Sequence, residues 1–168
     1  AKPNRKFKIG SKQLWEYHNN NYNDKHSTDD LELDINKTKK KYDVAMYGGA
    51  IRVDEWEFFY KSLKENNNCN FIIFFCGHVR PKFELPDNFV HIYSKMTVAP
   101  CVEIARRFAM KTNATYIHEV QDDMLYTPAA LDKMIEIVKS HKEEVVISPA
   151  FKPCEKTPPI NLEPLSDA

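Results

Sequence analysis

Apolar positions along this chain recur in two rhythms, short unbroken runs and stripes at helical spacing. Asp43-Val44-Ala45-Met46-Tyr47 is a buried-strand candidate, ended by Gly48-Gly49. Asp54 and Glu57 fit a capping box, and Trp56, Phe59, Tyr60 and Leu63 then recur as one face of a helix. Asn66-Asn67-Asn68 breaks that helix. Phe71-Ile72-Ile73-Phe74-Phe75-Cys76 follows, apolar on both faces as a central parallel strand requires. Gly77 ends it, with His78 and Arg80 just past its tip. Val90-His91-Ile92-Tyr93 is a third strand, and Pro100 suits the first turn of a helix that buries Ile104, Ala105 and Phe108. Tyr116-Ile117-His118-Glu119-Val120 is the fourth. Thr127 as cap and Pro128 as first helical residue then open a helix striped by Leu131, Met134, Ile135 and Val138. Val145-Val146-Ile147 reads as a fifth strand.

This alternation predicts the α/β class. Right-handed crossovers make the central sheet mostly parallel, with helices on both faces. The chain reads as a single domain across 1–168. Residues 1–41 are a polar extension, 42–148 the core, and 149–168 a Pro-rich tail or lid. A length of 168 residues suits one substantial core.

Lysine plus arginine and aspartate plus glutamate both number 24, so no net field favours a nucleic-acid partner. The apolar runs are far shorter than the roughly 20 residues that cross a bilayer, and no signal-peptide pattern is visible. Four cysteines without a C-x-x-C spacing argue against a zinc cluster and for free thiols in the cytoplasm.

Candidate chemistry collects at strand ends. Tyr47-Gly48-Gly49, Gly77-His78 with Arg80, and Gln121-Asp122-Asp123 each follow a strand. In an open α/β sheet such carboxyl ends border the ligand site. Gly48 and Gly49 would let backbone approach a ligand closely. Adjacent carboxylates repel unless a cation or proton relieves them, and hard oxygens suit Mg²⁺ or Mn²⁺. The plain alternative is a solvated Asp-Asp turn leading into a helix. Were the strand to run on to Asp123, Gln121 and Asp123 would share a face and Asp122 would oppose them.

The order of elements resembles the GT-A (Rossmann-like) glycosyltransferases, specifically the family 2 type. The resemblance spans residues 42–148, and its motif specificity is confined to 121–131. There Gln121-Asp122-Asp123 stands at the D-x-D-type motif, with Pro128 a few residues on and a helix after it. The family's first acid is here Gln121, which carries no charge. The resemblance implies an enzyme that moves a sugar from a nucleotide-sugar donor, a UDP-sugar ranking first, to an acceptor not written in the sequence. It implies Asp123 as ligand to Mn²⁺ or Mg²⁺, and Asp122 at the ribose or the metal shell. Tyr47, Gly48, Gly49 and His78 would line the base, and Arg106 or Lys95 would meet the phosphates. Inverting members carry a catalytic base, Asp or Glu, well downstream, for which Glu155, Glu163 and Asp167 are the candidates; retaining chemistry needs none. Two rivals remain: a sugar nucleotidyltransferase, for which Gly48-Gly49-Ala50-Ile51-Arg52 is a poor phosphate loop, and a non-catalytic nucleotide-binding domain of the same fold.

Overall fold

A computed structural model describes residues 40–149. They form two compact units, one of residues 40–54 with 70–122, the other of 55–69 with 123–149.

The first unit is built on four parallel strands, confirming the α/β class. In chain order these are β1 (Val44–Gly49), β2 (Phe71–Gly77), β3 (Phe89–Tyr93) and β4 (Tyr116–Glu119). Their order across the sheet is β3-β2-β1-β4. Val44 pairs with both Phe71 and Tyr116, and Ile73 pairs with Phe89. The two middle strands are buried at every position, as their unbroken apolar composition demands. At the edge, β4 alternates, with Ile117 and Glu119 exposed.

The helix Val98–Ala109 belongs to this unit and packs on β1 and β2. Ala45, Tyr47, Ile72, Phe74 and Cys76 meet its Cys101, Ile104, Ala105 and Phe108 in one apolar cluster. Phe75 lies edge-on to Phe89, with ring centroids 5.5 Å apart. Burial holds the His118 imidazole down at about 4, below its ordinary 6.5. The unfolded chain therefore takes up a proton near 6.5 that the folded chain refuses until about 4. Stability is expected to be fully present above that window and to fall as pH drops through it. Unfolding free energies at neutral pH and midway through the window should differ less in His118→Gln than in wild type. Equal differences would contradict this.

Two helices form the second unit: α1 (Trp56–Asn66) and α3 (Ala130–Ser140). The helix of the first unit, lying between them in the chain, is α2. Both expected caps differ from the sequence reading. A 3₁₀ turn, Val53–Glu55, runs straight into α1, and Glu55 already has helical dihedrals. No extended residue is left whose side chain could fold back on the first amides, so the Asp54–Glu57 capping box does not form. Glu57 pairs with Lys61 instead, 2.8 Å away.

At α3, Thr127 and Pro128 stay outside the helix because Ala129 takes a left-handed conformation, φ 60°. The cap comes from the end of α1. Asn67 Oδ1 accepts hydrogen bonds from Leu131 N at 2.8 Å and Asp132 N at 3.4 Å. The Asp132 carboxylate in return accepts from the amides of Asn68 and Cys69. Asn66 donates to Tyr126 O, and Ser62 Oγ accepts from Tyr126 N. The Asn run that ends α1 is thus a clasp. Asn67→Ala is expected to cost about 1–2 kcal/mol, the value of a lost N-cap with an amide left unpaired. Urea unfolding measures it, and a loss under about 0.5 kcal/mol would contradict the assignment.

The expected fifth strand is not formed. Val145-Val146-Ile147 has no ladder partner among the described residues, and Val146 is fully exposed. Three apolar residues between Glu143-Glu144 and Pro149 lack the pairing that would make a strand of them.

Candidate functional site

At the carboxyl edge of the sheet the first unit draws three strand exits together. Gly48 stands where the chain crowds itself. A Cβ there would run into the carbonyl oxygen of Val120, beyond β4, and stand 3.0 Å from the Phe75 ring. Val120 N donates to Tyr47 O at 2.9 Å, so the β1 and β4 exits run backbone against backbone. Gly77 is pressed likewise: a Cβ would lie 2.7 Å from both Ala50 Cβ and its carbonyl oxygen. Ala50 N donates to Cys76 O at 2.8 Å, which ties the β1 exit to β2.

Asp122 locks this junction. Its side chain is 2% exposed. Oδ2 accepts hydrogen bonds from Ile51 N and Arg52 N, both at 2.7 Å, across about seventy residues of chain. Such short bonds to an ionised acceptor are the stronger kind. β4 ends at Glu119, yet the alternation of its faces persists: Val120 is buried, Gln121 exposed, Asp122 buried and Asp123 exposed. The two acids, expected together at one ligand, therefore differ in what they meet. Asp122 is engaged with backbone amides, and Asp123 is open to solvent.

Beside them, Tyr47 Oη donates to Glu119 Oε2 at 3.1 Å. Burial and the neighbouring carboxylate push the Tyr47 phenol up to about 12, so it stays a donor at any ordinary pH. Arg106, expected at a phosphate, is forked onto Glu103, Nε to Oε2 at 2.8 Å and Nη2 to Oε1 at 2.9 Å. Arg107 Nε reaches the same Glu103 Oε1 at 3.1 Å, while its Nη2 is buried with no hydrogen-bond partner among the described residues. These bonds hold the Glu103 carboxyl below its ordinary value, Arg106 foremost. Sequence reasoning passed over Glu103, although acid and guanidiniums three and four apart on one helix were there to read.

His78 and Lys95 are exposed, and the Arg80 guanidinium lies 4.9 Å from the centre of the Tyr93 ring. Glu155, Glu163 and Asp167 lie outside the described residues. Compared with protein-family models, curated proteins and solved structures, the chain matches none.

No group of three or more His, Cys, Asp or Glu side chains among the described residues could hold a metal ion by itself. A single exposed carboxylate, Asp123, suits an ion whose remaining ligands are phosphate oxygens and water, the usual habit of Mg²⁺. No helix of the described residues is long and apolar enough to cross a membrane.

Proposed function

We propose that the chain is a GT-A glycosyltransferase that takes a sugar from a nucleotide-sugar, a UDP-sugar first among candidates, with Mn²⁺ or Mg²⁺ held at Asp123. The observation that carries this reading is the division of labour at Asp122-Asp123. One acid builds the sheet's carboxyl edge, and the next is free for a cation. Asp123 would hold the metal, which would supply Lewis-acid stabilisation of the charge on a departing nucleoside diphosphate. Tyr47, the Gly48–Gly49 backbone and His78 stand at strand exits, where they would meet a base, and Asp122 holds the Ile51–Arg52 turn that follows β1. Catalytic candidates remain Glu155, Glu163 and Asp167. Cys76 and Cys101, buried and in no disulfide, suit a reducing compartment, and we place the activity in the cytoplasm.

The same observation weighs against a sugar nucleotidyltransferase. Such an enzyme grips phosphate with the backbone of the loop after its first strand. Here the Ile51 and Arg52 amides of that loop are already occupied by Asp122.

Melting temperatures with UDP, GDP, CMP and ADP, each with and without Mn²⁺, test the proposal. One nucleotide should raise the midpoint only with metal. At a hundred times its dissociation constant the gain is about 2.7 kcal/mol. No shift with any nucleotide would overturn it. Metal-dependent binding without turnover of any donor would favour the non-catalytic domain.

A further inference from the structure

We infer that Asp122 is a positioning residue, an internal anion that fills the paired amides of the β1-exit turn and keeps external phosphate out of them. Successive backbone N–H groups aimed at one point form a concavity that binds anions, and phosphate loops exploit it. Ile51 N and Arg52 N make such a pair, each 2.7 Å from the same Asp122 oxygen. Only the ligand differs, since it belongs to the chain. At 2% exposure the carboxylate is no surface decoration, and nothing entering from solvent can displace it cheaply. Its position is fixed in turn by the backbone contact of Val120 with Gly48 and Tyr47.

The turn 50–52 is therefore held in shape before any ligand arrives. It offers a ligand its outer face, where Ile51 and Arg52 are exposed, and withholds its amides. The inference goes beyond the transferase proposal and does not need it. A turn built in this way would serve any ligand of this sheet edge that is read by something other than amide–phosphate bonds.

Chemical rescue separates this role from plain packing. In the full chain, Asp122→Ala should lower the melting temperature and speed amide exchange at Ile51 and Arg52 by about tenfold or more. Sodium formate, a carboxylate small enough for the vacated space, should restore much of both in the variant and neither in wild type. Formamide, or sodium chloride at equal ionic strength, should restore neither. Inorganic phosphate should slow exchange at the two amides in Asp122→Ala only. If Asp122→Ala does not fold, Asp122→Asn keeps the shape and one oxygen acceptor, and exchange at both amides should still quicken. Exchange at Ile51 and Arg52 that is unchanged in the variants would overturn the inference. So would rescue by formamide equal to that by formate, or phosphate protection of the wild-type turn. No nucleotide enters this experiment, so a failed glycosyltransferase proposal leaves its outcome readable.

Discussion

Phe74→Ala is expected to remove about 3–5 kcal/mol of stability, the range for truncating a buried phenylalanine. Phe74 sits in β2, between β1 and β3, paired with Tyr47 on one side and Val90 on the other. Its side chain has no exposure and lies in the cluster formed with Ile104, Ala105 and Phe108 of α2. Main-chain bonds on both sides pin the strand, so the backbone cannot collapse into the space the ring leaves. Most of the void persists, and its cost adds to the lost transfer energy. Against a typical total of about 5–15 kcal/mol this is a large share. The urea midpoint should fall with little change in slope. Phe58→Ala, at a side chain 37% exposed, should stay within about 0.5 kcal/mol and serves as the control. A Phe74→Ala loss under about 1 kcal/mol would mean that α2 does not pack on this face.

Gly48→Ala is the second large effect, expected at about 2–3 kcal/mol, toward the upper end of overpacking costs. The added methyl meets the Val120 carbonyl, which is backbone and cannot rotate aside, and the Phe75 ring behind it. Relief would have to part the β1 and β4 exits and loosen the bond from Val120 N to Tyr47 O. Two residues on from Val120, Asp122 would lose its alignment with the turn 50–52. Gly49→Ala is the internal comparison. Its methyl would come 3.2 Å from Val98 Cγ1, a half-exposed side chain that can give way, and should cost less. Urea unfolding of the pair decides the matter, and a Gly48→Ala cost no larger than that of Gly49→Ala would contradict the close approach.

Much of the fold could be read from local pattern. The unbroken run at Phe71-Ile72-Ile73-Phe74-Phe75-Cys76 can only be a strand buried on both faces, and it is. The stripe Trp56, Phe59, Leu63 marks the buried face of α1, as Leu131 and Ile135 mark that of α3. Where partners lie far along the chain, the pattern is silent. Asn67 looks like a helix breaker beside Asn66 and Asn68, yet its side chain caps α3 some sixty residues on. Thr127 and Pro128 carry a cap signal that the left-handed Ala129 cancels.

The strand exits were legible, and the contacts made there were not. That β1, β2 and β4 end at one edge follows from any parallel sheet. The division between the acids follows from alternation along β4, which sequence supplies only if one knows that it continues past Glu119. The pattern around Gly48 suggests a ligand-facing glycine, and its crowding against Val120 depends on a residue more than seventy positions away in the chain. The family resemblance implies Arg106 or Lys95 at a phosphate, and the pairing of Arg106 with Glu103, three residues earlier, is a contact it does not foretell.

Calorimetric titration of UDP into the protein with and without Mn²⁺, for wild type, Asp123→Asn and Asp122→Asn, tests the central claim most directly. The account predicts metal-dependent binding by wild type and about a hundredfold weakening in Asp123→Asn, which loses the carboxylate proposed to meet the ion. That factor equals about 2.7 kcal/mol. Asp122→Asn should bind more weakly by a factor that is the same with and without metal, because its carboxylate shapes the turn and does not touch the cation. Equal affinity of Asp123→Asn and wild type for UDP in Mn²⁺, or metal dependence lost in Asp122→Asn alone, would contradict it.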